Sequence, residues 1–231
     1  MKKYELTNES REVNGRTLYR IRALADFDCI TKGSLGGWVE SEDNLSQDGN
    51  AWVFDNALVC GSARVYGDAL VCGEATVCGW ARVGGNAQVT DRARVLHLAQ
   101  VCGDAVIFGE AALFDHARVY DYARVGSNAR VYGHAEVHGG ACVLGAASIR
   151  ERAKVQCDRD LLIVGPLGSR SGHTTFFRGS DGDIHVACGC FNGTIKQFAD
   201  KVVETHGDSK YAKEYLAAVE LAKIHMGADH E

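Results

Sequence analysis

The residues best suited to chemistry in this chain recur at a spacing of eighteen. Arg64, Arg82, Gln100, Arg118, Glu136 and Lys154 are successive members of one such series. If one coil of the chain takes eighteen residues, they stack into an outward column rich in positive charge. Guanidinium groups suit phosphate because each planar fork offers paired N–H donors. The competing reading is a solvated charged face, relieved in part by Glu136 and by salt. His116 and His134 belong to a second series, with Trp80 and Leu98 before them. An imidazole there could act as a general base, but a base needs a positioned substrate and the sequence shows none. A surface or packing role is the alternative.

Two further sets lie near the C-terminus. Gly168-Ser169-Arg170-Ser171-Gly172-His173 is a glycine-rich basic loop between strand-like segments. Exposed backbone amides beside Arg170 could hold a small anion, and Arg178 would strengthen the site if it pointed the same way. Cys188-x-Cys190 has His173 and His185 nearby in sequence. Zinc sites prefer cysteine pairs two to four residues apart. Cys188, Cys190 and His185 are therefore weak candidates, and no metal is expected.

What must position these residues is a repeat. Alanine recurs every six residues from Ala51 to Ala153, eighteen hexads without an insertion, and two residues after each stands Val, Ile or Leu. A fixed short period decides a fold before any local propensity does. In extended chain, residues two apart share a face, so each Ala-x-Val unit aims both apolar side chains inward. A Gly or Asp, such as Gly61, Gly67, Asp91 or Gly133, then lets the chain turn. A helix cannot keep a period of six on one face. The expected fold is mainly β, a parallel β-helix of stacked short strands with covered ends.

The six coil cysteines (60, 72, 78, 102, 142 and 157) fall mostly in outward slots, and Cys60 and Cys78 should be stacked neighbours, expected as thiols. An outward column of Phe54, Cys72, Thr90, Phe108, Gly126 and Leu144, beside Trp52, Leu70 and Val106, is unusually apolar. Such a strip marks contact with another element or chain. Trimerisation through the coils and C-terminal helices folding back along the column would each explain it.

The tandem V-x-G-x-A-x pattern resembles the hexapeptide-repeat superfamily of left-handed β-helices, whose best-known members are acyltransferases. In that superfamily three hexads make one triangular coil. The resemblance therefore implies a left hand and about six coils, and it favours a trimer. It also implies a histidine base at a cleft between subunits, which a loop excursion usually helps to build. No excursion interrupts the hexads here, so no catalytic histidine is carried over, though His116 and His134 are the candidates. Residues 1–46 resemble the start of the YdcK-like family through Lys3-Tyr4-x-Leu6, Arg22-Ala23, Asp26-Phe27, Gly36-Gly37-Trp38-Val39 and Asn44-Leu45-Ser46-Gln47. The C-terminal segment resembles tails found on phage and prophage proteins with similar repeats.

Three regions follow: an N-terminal β-cap (1–46), the repeat (47–158) and a C-terminal module of β-meander and two helices (159–231). Asn14-Gly15 signals a two-residue hairpin turn, and Thr194 with Gln197 a capping box for the first helix. The net charge of −5 gives no reason to expect nucleic acid or a membrane surface as partner. MKKYELTNES carries no apolar run typical of a leader, and nine cysteines without one suggest reduced thiols in a bacterial or phage-infected cytoplasm.

Three functions fit. The first is a non-catalytic binding or scaffold protein, homo-oligomeric, presenting its tail module to a ligand or partner. The second is a CoA-dependent acyltransferase, the only reading that brings in a cofactor, acetyl-CoA. The third is a phage-borne protein that sequesters a small phosphorylated signal. The missing excursions and the lack of an assembled acid–base set favour the first.

Overall fold

The computed structural model describes residues 2–227. The chain begins with an antiparallel pair, β1 (Tyr4–Val13) and β2 (Arg16–Ala23), followed by β3 (Leu35–Val39). The Asn14-Gly15 turn holds both residues at positive φ (52° and 74°), the geometry a right-twisted hairpin needs. Eighteen two-residue strands then run from β4 (Trp52–Val53) to β21 (Lys154–Val155). They stack in parallel with a register of eighteen, on three faces. One face carries Trp38, Leu58, Thr76, Arg94, Ala112, Arg130 and Ser148 in successive outward slots. Arg64 to Lys154 line the second and Trp52 to Cys142 the third.

The β-helix has about seven turns where the hexad count implied six. The extra turn comes from β3 and from Leu45, which bridges to Val65. Val39 and Leu45 are six apart, but the next aliphatic, Val53, comes eight later. Two additional residues before Ala51 hide this first turn from a strict search for the period.

Every repeat alanine and its partner Val, Ile or Leu is at most 2% exposed. Corners are held by residues at positive φ, and glycine alternates there with aspartate: Gly103 (φ 69°) sits below Asp121 (φ 58°). Aspartate also ties coils together. Asp91 accepts from the amide of Gly109 (2.7 Å), Asp55 from Gly73 (3.1 Å) and Asp121 from Gly139 (3.1 Å), each one coil up. A carboxylate thus supplies a hydrogen bond that a glycine corner lacks.

Gly126 answers a different need. Its place in the outward slot is filled by the ring of Phe108 from the coil before; a Cβ there would lie 2.2 Å from that ring. Arg124 covers the same ring at 5.6 Å. Gly126→Val is expected to expel Phe108 and lower unfolding free energy by about 1–3 kcal/mol in urea titration.

Polar side chains close the N-terminal end. Lys3, 7% exposed, donates to the carbonyls of Gly49 (3.2 Å) and Ala51 (2.9 Å). Burial pulls its pKa down to about 8, against the attraction of Asp48 and Asp68. The Tyr4 hydroxyl reaches the carbonyls of Leu45 (2.8 Å) and Glu42 (2.9 Å), and burial, then Glu42 and Asp43, push its pKa above 10. Between pH 8 and 10.5 the unfolded lysine keeps a proton the folded one has shed, so stability rises with pH. Above pH 10 the unfolded phenol ionises while the folded one stays neutral, so stability falls. Urea titrations across this range are expected to show less of the rise in Lys3→Met and less of the fall in Tyr4→Phe, with the raised Cys72, Tyr120 and Tyr215 contributing to the fall that remains.

The other end is closed by an antiparallel sheet, β22 (Leu161–Leu167), β23 (Gly172–Arg178), β24 (Ile184–Cys188) and β25 (Phe191–Thr194). Its alternating faces serve two layers. Phe177 and Ala187 continue the solenoid core, whereas Phe176 and Val186 pack against α1 (Ile195–His206) and α2 (Lys210–Gly227). The expected capping box forms: Gln197 N–H donates to Thr194 Oγ1 (3.3 Å) and Thr194 N–H to Gln197 Oε1 (2.9 Å). Arg150 pins the sheet to the last coil, donating to the carbonyls of Phe191 (3.2 Å) and Gly189 (3.3 Å) while lying over Tyr132.

The two helices share their core with this sheet, so they do not run back along the apolar outer column. Cys60 and Cys78 form a disulfide instead of the expected thiols. Strand pairing brings their Cα atoms to 4.8 Å, inside the range a disulfide spans. The other seven cysteines are free. Among the described residues no helix is long and apolar enough to cross a membrane.

Candidate anion-binding cleft

The last coil and the C-terminal sheet enclose two adjoining hollows. One, of about 440 Å³, is lined by His134, Glu136, Arg152, Ala153, Lys154 and Ser180. The other, of about 390 Å³, shares Arg152, Ala153 and Ser180 and adds, among others, Glu151, Asp181, His185, Asn192 and Gln197. The repeat explains the first set. Arg152 stands one coil beyond His134 and Lys154 one coil beyond Glu136, because one coil takes eighteen residues. Ser180 arrives from the β23–β24 turn, and its N–H donates to the Arg152 carbonyl (2.9 Å).

Charge in the cleft is unevenly committed. Glu136 accepts from Arg118 (3.0 Å) and from the Tyr120 hydroxyl (3.3 Å). Burial and then Glu136 raise the Tyr120 pKa. Asp181 accepts from His185 Nε2 (2.9 Å), and that hydrogen bond leads the causes that lower its pKa. Arg152 and Lys154 have no side-chain partner among the described residues. The Lys154 hollow therefore offers two uncommitted cations beside one ion-paired carboxylate, Glu136, which suits a multiply charged anion. Asp181 and Glu151, the latter unpaired among the described residues, lie in the adjoining hollow.

The sequence-derived candidates are distributed as follows. His116 and His134 stack at 4.7 Å with rings 8° apart, and neither pairs with a carboxylate among the described residues. His97 and His138 instead face Asp115 (3.2 Å) and Asp121 (3.9 Å). The column from Arg64 to Lys154 is in register as expected. Its lower end, Arg64 and Arg82, lines an open pocket of about 620 Å³ with Asp43 and Gln47.

Arg170 and His173 lie at the β22–β23 hairpin, where the Gly168 amide already donates to Glu214 (3.0 Å). Arg178 stands at the other end of β23. There it donates to the carbonyls of Gly182 (3.0 Å) and Met226 and faces Asp160 (3.8 Å). The three basic residues do not form one site. Nor do the weak metal candidates: Cys188 accepts from Thr174 (3.2 Å), Cys190 is exposed in a turn and His185 is turned to Asp181. Among the described residues no group of three or more His, Cys, Asp or Glu is placed to hold a metal.

Sequence reading missed Arg152, Ser180 and Asp181. Arg152 was available by arithmetic, since it continues the His116–His134 series. Ser180 and Asp181 were not, because their place depends on how the sheet docks.

No family model matches the chain. A curated protein described as uncharacterized acetyltransferase YdcK, from Escherichia coli (strain K12), is 35% identical over 63 residues. The match covers 24% of this chain and 19% of that protein. Together with the hexad-built parallel β-helix, this similarity to an acetyltransferase-like protein supports the hexapeptide-repeat superfamily.

Proposed function

We propose that this chain is a non-catalytic binding protein, a rigid β-helix that holds a small phosphorylated ligand in the cleft at its C-terminal end. The observation that carries the reading is the convergence of uncommitted Arg152 and Lys154 on an open hollow whose one carboxylate, Glu136, already pairs with Arg118. The unbroken register supports a binding role too: no loop leaves the coils to build a catalytic cleft, and the stacked His116–His134 pair lacks an orienting carboxylate. Titration calorimetry with inorganic pyrophosphate tests it. Arg152→Ala with Lys154→Ala is expected to weaken one binding event at least tenfold; an unchanged isotherm contradicts the assignment.

A CoA-dependent acetyltransferase is the second reading, and its support is the described activity of the matched relative. Release of CoA from acetyl-CoA, lost on His134→Ala, would favour it. The upper part of the apolar column, where Phe108 is half-buried and Leu144 exposed, fits a homo-oligomer, with a trimer the form the superfamily resemblance favours. Trp52 at the lower end is already buried against Tyr4 and Phe27. Sedimentation of wild type beside Phe108→Ser tests that arrangement.

A further inference from the structure

A second anion site lies on another face of the β-helix, midway along it. In the outward column Thr76–Arg94–Ala112–Arg130–Ser148, a single alanine separates two arginines. The strand spacing puts their backbones about 10 Å apart. Both arms are exposed, yet Ala112, in an outward slot, is only 4% exposed, whereas Thr76 and Ser148 in the same column are half-buried. The small methyl leaves the outward slot between the two arginines short, and beside it lies a hollow of about 310 Å³ lined by Arg92, Arg94, Glu110, Asn128 and Arg130.

The neighbouring charges are already engaged. Arg92 pairs with Glu74 (3.0 Å) and reaches Glu110 (3.8 Å). The other oxygen of Glu110 accepts from Asn128 (3.3 Å). Arg94 and Arg130 have no side-chain partner among the described residues. Two free guanidinium groups at the edge of one hollow thus remain, each able to give paired N–H donors to one anion. We propose that Arg94 and Arg130 clamp the phosphoryl groups of a di- or polyphosphate in this hollow, at a site separate from the cleft of Arg152 and Lys154.

The test counts pyrophosphate bound per chain by calorimetry, with sulfate and chloride as controls. Wild type is expected to bind two. Arg94→Gln with Arg130→Gln removes one, and Arg152→Ala with Lys154→Ala removes the other. Ala112→Leu keeps both arginines but puts a larger side chain in the outward slot between them; it is expected to weaken the notch event at least tenfold with an unchanged melting temperature.

The proposal is overturned if the Arg94/Arg130 variant keeps every binding event, if Ala112→Leu changes nothing, or if chloride competes as well as pyrophosphate. A single wild-type event removed only by the Arg152/Lys154 variant sinks the notch and leaves the cleft. A single event removed only by the Arg94/Arg130 variant does the reverse.

Discussion

Asn44→Ala is expected to lower the unfolding free energy by about 3–5 kcal/mol and the melting temperature by roughly 10 °C. Asn44 is fully buried and all its hydrogen-bonding capacity is in use. Its carbonyl accepts from the amides of Ser41 (2.9 Å) and Glu40 (3.1 Å), and its amide donates to the carbonyls of Gly61 and Ala63 (2.9 Å each). Those groups belong to the end of the β-helix, where no lower coil exists to pair with. Alanine would leave the Ser41 N–H and two C=O groups without partners, while the Glu40 amide keeps its bond to the Val59 carbonyl (3.1 Å), and each buried orphan costs about 1–3 kcal/mol. Asn44→Asp keeps the acceptors but loses both donors, so it should fall at least as far as alanine. A loss below 1 kcal/mol in urea titration would mean that water replaces the side chain.

Phe177→Ala has an effect of similar size and a different character. The ring is 1% exposed and belongs to the solenoid core although its residue is in the C-terminal sheet. Removing it is expected to cost about 3–5 kcal/mol. Much of that loss should appear as loosening between sheet and last coil, since the neighbouring Phe176 still holds the helices. Hydrogen exchange should therefore rise at Ser180, whose amide is bonded to Arg152, while the amides of the central coils stay protected. Pyrophosphate binding in the cleft should weaken with it. Phe176→Ala should instead raise exchange in α1 and α2. Identical exchange patterns in the two variants would contradict the division of the sheet into two faces.

Much of this was legible in the sequence because a six-residue period leaves little freedom. Once Ala51 to Ala153 are in phase, the interior follows, and the three faces and eighteen-residue columns follow from the three hexads per coil that the superfamily resemblance implies. That is why the stacking of His116 on His134 and the register of Arg64 with Arg82 were expected correctly. Failures occurred where the period is interrupted. The first turn was hidden by two extra residues ahead of Ala51. The Cys60–Cys78 pairing depended on sulfur chemistry, which spacing alone does not decide. Arg178 was grouped with Arg170 by sequence proximity, but a seven-residue strand carries one end far from the other. The cleft escaped notice for a related reason. Half of it is periodic and readable, and the other half, Ser180 to His185, is placed by docking of an irregular module.

The most direct test of a binding role without turnover is native mass spectrometry of the full chain with ATP as the phosphorylated probe, followed over hours beside an acetyl-CoA control. The expected spectrum shows intact ATP retained on wild type, no shortened nucleotide, and one adduct fewer on the Arg152/Lys154 double variant. Absence of any ATP adduct on wild type, or steady conversion of acetyl-CoA to CoA, would contradict the account.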